Sequence, residues 1–70
     1  MQYLVVIEQG ATSFGAYVPD LPGYIAAGES REEVAMLIHE VIKLHIEDLR
    51  AQGNAVAQPN SSSELVDVDA

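Results

Sequence analysis

Apolar residues recur with two different periods along this chain, and the places where the period changes mark its elements. Residues 2–8 contain the unbroken run Tyr3-Leu4-Val5-Val6-Ile7, rich in β-branched side chains, as expected of a strand at the centre of a sheet or covered on both faces. Gly10 and its polar neighbours form a turn, after which Phe14-Gly15-Ala16-Tyr17-Val18 alternates large and small residues, predicting a second strand over 14–18. Pro19 ends it, because proline has no N–H to give to a ladder. In Leu21-Pro22-Gly23-Tyr24, Pro22 presets the φ of the second turn position and Gly23 can adopt the positive φ of the third, which defines a type II turn. A third strand over 23–27 follows and stops at Gly28.

Beyond Gly28 the period lengthens. Ser30 with Glu33 three residues on forms a capping box, and Gly53 offers a left-handed C-cap, so a helix is predicted over 31–52. At about 100° per residue, Val34, Ile38, Val41, Ile42, His45 and Leu49 share one face, flanked by Leu37. Glu40, Lys43, Glu47 and Arg50 occupy the other face, so the helix packs across one side of the sheet. Residues 54–63, with Pro59 and three successive serines, are too polar to pack and form a linker. Leu65-Val66-Asp67-Val68-Asp69 then alternates apolar with acidic side chains, as a half-exposed last strand over 64–69 would. That strand has two places to go: beside the first strand of its own chain, or across to a neighbour. The fold class is therefore α+β, a small, mainly antiparallel sheet with one long helix on one face, in the order β-β-β-α-β. Seventy residues support one such domain, spanning 1–70.

Charge adds a direction to this outline. The chain has 3 Lys and Arg against 11 Asp and Glu, a net charge of −8, and all three cations, Arg31, Lys43 and Arg50, fall in the helix. Glu8, Asp20, Glu64, Asp67 and Asp69 have no basic residue near them in sequence. Such a surface repels phosphate and attracts a basic partner. With no Cys there is neither a disulfide nor a thiolate metal site to staple so small a fold, and self-association into a dimer or tetramer is the expected substitute. No apolar run is long enough to cross a bilayer and no leader is seen before the first strand, so a cytoplasmic protein is expected.

Few residues offer chemistry. His45 lies on the apolar helix face and reads as a packing residue hydrogen-bonded to backbone or to an acid, while His39 lies nearer the polar side, so the two do not clamp a metal. The glycine-containing segment from Gly10 to Gly15 lacks the lysine and the following helix of a phosphate loop. Glu8, Asp67 and Asp69 form the one set that could hold Mg²⁺ and activate water as a nuclease does, against the simpler reading of solvated charges that protect a sheet edge. No catalytic residue, cofactor or metal is expected. Among Tyr3, Tyr17 and Tyr24, any tyrosine on the sheet face opposite the helix is a contact anchor, because one helix covers only one face.

The string Tyr17-Val18-Pro19-Asp20-Leu21-Pro22-Gly23-Tyr24-Ile25-Ala26-Ala27-Gly28 with its capped helix resembles the N-terminal domain of the HicB-like antitoxin family. The likeness continues through Ile42-Lys43-Leu44-His45-Ile46-Glu47, Gln58-Pro59-Asn60-Ser61-Ser62-Ser63 and Val66-Asp67-Val68-Asp69. The resemblance implies a shortened ribonuclease H fold and a binding protein that neutralises a basic, HicA-like mRNA-cleaving toxin by occluding its active surface. The residues assigned to that contact are Glu8, Asp20, Tyr24, Glu64, Asp67 and Asp69. Many members of the family carry a second, DNA-binding domain at the C-terminus; with the sequence ending at Ala70, no direct DNA binding is expected. A metal-dependent nuclease and an oligomeric scaffold without a toxin are the alternative functions.

Overall fold

The computed structural model describes residues 1–69. Three strands, β1 (Val6–Gln9), β2 (Phe14–Tyr17) and β3 (Ile25–Gly28), form an antiparallel sheet in the order β1-β2-β3, and the helix α1 (Arg31–Ala51) follows. The α+β class and the β-β-β-α succession agree with the apolar pattern. The strands are shorter or shifted by a few residues for a local reason. Two consecutive turns bend the chain after β2, with Leu21 N–H donating to Val18 O and Tyr24 N–H to Leu21 O, and a proline stands second in each. The ladder therefore starts at the Val6–Tyr17 pair, and residues 2–5 have no strand opposite them. Gly23 takes φ +89° in the second turn, as its type II geometry requires.

Cross-strand partners share a sheet face, which sorts the side chains. Ile7, Ala16 and Ala26 lie in register on the helix side, and Tyr3, Val5 and Phe14 join them against a core of Ala16, Val18, Leu21, Val34 and Ile38. Burial of Val18, Leu21, Val34 and Ile38, each contributing on the order of 1.5–3 kcal/mol, holds α1 to the sheet. The helix face is the expected one: Val34 and Ile38 are buried, and Val41, Ile42, His45 and Leu49 are half-buried. Leu37 is 42% exposed and belongs to the outer surface instead of the core flank.

Both ends of α1 are capped. Ser30 Oγ accepts from the N–H of Glu33 at 3.1 Å, but Glu33 folds back to the N–H of Glu29, one residue earlier than the reciprocal box expects. Gly28 makes room for this, since a Cβ there would lie 2.7 Å from Glu33 Oε1. At the other end Gly53, at φ +74°, donates to Arg50 O and Asn54 N–H donates to Leu49 O, the two bonds of a Schellman motif.

The last strand is the exception. Residues 64–69 join no ladder in the single chain, and Leu65, Val66 and Val68 are exposed. A strand exists only through its hydrogen-bonded neighbour, and here none lies alongside. For the same reason β1, whose continuous apolar run suits a central strand, stands at the edge.

Candidate functional site

The face of the sheet turned away from α1 carries a row of apolar side chains. Val6, Tyr17 and Ile25 are direct cross-strand neighbours on that side, followed by Glu8, Gly15 and Ala27. Tyr17 is 39% and Ile25 73% exposed, while the small side chains of Gly15 and Ala27 keep the second row low. One helix cannot shield two faces, so the strand alternation that fills the core leaves this row in water. It is apolar, and Glu8 stands next to it on the same face. The chain's three cations lie on α1, behind the sheet.

The six residues assigned to partner contact occupy different settings. Glu8 is exposed on the open face, and Glu64, Asp67 and Asp69 are exposed on the C-terminal segment. Asp20 and Tyr24 have internal partners. Asp20 Oδ2 accepts from the N–H groups of Asn60 and Ser61, each at 2.9 Å, and Oδ1 accepts from the Ser61 hydroxyl at 2.8 Å. The N–H of Asn60, then that of Ser61, hold its carboxyl below the ordinary aspartate range, against partial burial, with the Ser61 hydroxyl adding to the effect. Tyr24 packs against the core with its hydroxyl turned to His45. The tyrosine of the open face is Tyr17, and Ile25 beside it had no separate signal in the sequence; only the register of the ladder identifies the pair as neighbours.

Glu8, Asp67 and Asp69 are not assembled into a site by the single chain. Among the described residues no group of three or more His, Cys, Asp or Glu side chains is placed to hold a metal ion. His39 is exposed, and the His45 ring lies against Tyr24.

Sequence relationships place the chain in a family. Residues 3–69 match the HicB-like antitoxin of bacterial toxin–antitoxin systems. The chain belongs to the HicB-like antitoxin family. A UPF0150 protein of Helicobacter pylori strain J99 is 37% identical over 57 residues, which cover 81% of this chain and 79% of that relative. No solved structure matches the chain. Membership of an antitoxin family implies a toxin partner of some kind. No helix among the described residues of the antitoxin is long and apolar enough to cross a membrane.

Proposed function

We propose that this antitoxin neutralises a small, basic, HicA-like ribonuclease by laying the open face of its sheet over the toxin's RNA-facing surface, and that it does so by binding alone. The uncovered row of Tyr17 and Ile25 beside Glu8 carries the reading, because it pairs an apolar contact area with a negative border on a chain of net charge −8. A ribonuclease that grips phosphates presents cations around an active surface, and carboxylates that occupy them displace the RNA. Glu64, Asp67 and Asp69 add further negative charge on the exposed C-terminal segment, and Tyr17 takes the anchoring place first assigned to Tyr24. The complex acts in the cytoplasm, where messenger RNA is cut.

The test is neutralisation by purified protein and in cells. The toxin is sought as the short basic protein encoded by the adjacent reading frame, and the antitoxin is expected to restore growth arrested by it and to block its RNA cleavage. The double variant Tyr17→Ala, Ile25→Asp is expected to lose both effects while keeping its melting curve. Full neutralisation by that variant would show that another face makes the contact.

A further inference from the structure

Four of the chain's five glycines are explained by the chain itself. Gly23 and Gly53 take positive φ, Gly10 lies against Ser13 O in the β1–β2 turn, and Gly28 leaves room for Glu33. Gly15 is different. It stands within β2, the middle strand of the sheet, where glycine weakens the ladder because it frees the unfolded backbone and packs nothing against its neighbours. A strand needs glycine at a bulge, at a positive φ, or where another group comes close to the backbone. Both ladders run through Gly15 in unbroken one-to-one register, with Glu8 opposite on one side and Ala27 on the other, so there is no bulge. Its φ is not positive. A Cβ there would meet, among the described residues, only Ala26 O at 3.8 Å, an ordinary contact. Nothing within the chain excludes a larger residue at this position, which leaves close approach from outside as its use.

The approach is from the open face of the sheet. The row Glu8, Gly15 and Ala27 crosses three strands, about 10 Å at the usual spacing, and forms a low step between the taller row of Val6, Tyr17 and Ile25 and the turn at 10–13. Tyr17, two residues along β2 and on the same face, is 39% exposed. Glu8 is exposed directly opposite Gly15, and the exposed Glu29 follows just beyond β3. No cation belongs to the sheet, since all three lie in α1. Bare backbone for a floor, an aromatic side chain beside it and a carboxylate at its end suit a long cation with a flat head. A guanidinium stacks on an aromatic face and is more weakly hydrated than an ammonium, so arginine answers this description better than lysine.

We propose that the step at Gly15 receives an arginine of the toxin, whose stem lies across the backbone of β2 and whose guanidinium stacks against Tyr17 on the side of Glu8. The inference rests on the docking face assigned above and names the group that fits it. Glu8, standing in solvent, draws the cation in and adds little to holding it. Retention comes from the absence of a side chain at Gly15, because a Cβ with branches would occupy the space of the arginine stem. Gly15 is therefore a specificity residue, and the sheet stability it forgoes in the free antitoxin is recovered in the complex.

Gly15→Ala and Gly15→Val are expected to melt at the same temperature as the unaltered chain or higher. Their dissociation from the toxin is expected to quicken, by about tenfold or more for valine and by less for alanine. In the basic protein of the adjacent reading frame, changing each arginine in turn to lysine keeps the charge and removes the flat head. One such change is expected to weaken binding to the unaltered antitoxin and to have no further effect on the Gly15→Val variant. Gly15 variants that hold the toxin as tightly as the original, or the lack of any toxin arginine whose effect depends on residue 15, would overturn the proposal. The double variant Tyr17→Ala, Ile25→Asp separates it from the docking face. If that variant fails to neutralise while Gly15→Val succeeds, the face stands and the arginine step falls; if both neutralise fully, the face falls and the step with it.

Discussion

The hydroxyl of Tyr24 lies 2.5 Å from Nδ1 of His45 and 3.0 Å from Nε2, with the two rings 4.2 Å apart between centroids and tilted by 41°. Tyr24 sits just before β3 and His45 in the C-terminal half of α1, so the pair bolts the helix to the turn that precedes the last ladder strand. The partner expected for His45 was backbone or an acid; a tyrosine serves because its O–H can donate to a ring nitrogen or accept from one. Removing the imidazole leaves a half-buried phenol without its hydrogen bond. His45→Leu is therefore expected to cost about 1 kcal/mol, lowering the melting temperature by roughly 4–8 °C. Asp at the same place, which puts a carboxylate against the core, is expected to cost more. An unchanged melting curve for His45→Leu, accompanied by lost toxin neutralisation, would move His45 from packing to contact.

Asp20 ties the linker to the turn between β2 and β3, and its charge is what the two backbone N–H groups grip. Its folded pKa is lowered by those bonds, so the stabilisation is present above the ordinary aspartate pKa and disappears as pH falls through the lower folded value. The clasp is expected to hold at neutral pH and to release below about pH 4. Amide hydrogen exchange at Asn60 and Ser61, measured between neutral and acid pH, reads this directly. Asp20→Asn should lower the protection factor at both amides at neutral pH and leave it nearly unchanged on acidification, each rate being taken relative to the intrinsic rate at that pH; protection equal to that of the original would refute the clasp.

Gly23 tests the turn that the sequence announces most clearly. No atom lies within 4 Å of where its Cβ would stand, so Gly23→Ala meets no steric obstacle and the whole penalty comes from the φ of +89°. The expected loss is about 1 kcal/mol, seen as a lower denaturant midpoint with an unchanged slope. A neutral result would mean that the turn relaxes to a negative φ without disturbing Tyr24.

In the proposed docking mode, charge and apolar contact contribute separately to toxin binding. Glu8→Lys is expected to slow association several-fold at low salt, with the difference fading as ionic strength rises and the Debye length falls below about 10 Å. Ile25→Asp is expected to accelerate dissociation, because it breaks the apolar row without reducing the negative charge. Its own stability should shift by no more than about half a kcal/mol, since the side chain is exposed. Stopped-flow association and dissociation at two salt concentrations separate the two effects. Equal rates for both variants and the original would exclude the open face as the docking surface.

Most of the fold was legible in local chemistry. Proline fixes its own φ and glycine admits a positive one, so the turn at 21–24, the Ser30 cap and the Gly53 terminus follow from the residues that occupy them, while the turn at 18–21 emerged only in the structure. The helix face follows from its period. What the chain did not disclose depends on groups far apart in sequence. That Val6, Tyr17 and Ile25 form one row requires the register of two ladders, and the choice between Tyr17 and Tyr24 as surface anchor turns on that same register. Asp20 read as a free surface charge because the N–H groups that bind it lie forty residues away. The alternation in residues 64–69 gives them the pattern of a strand, but pairing is a property of two segments. Only the tertiary structure showed that the single chain leaves this one without a neighbour, because local preferences specify a conformation and not the edge on which it will pair.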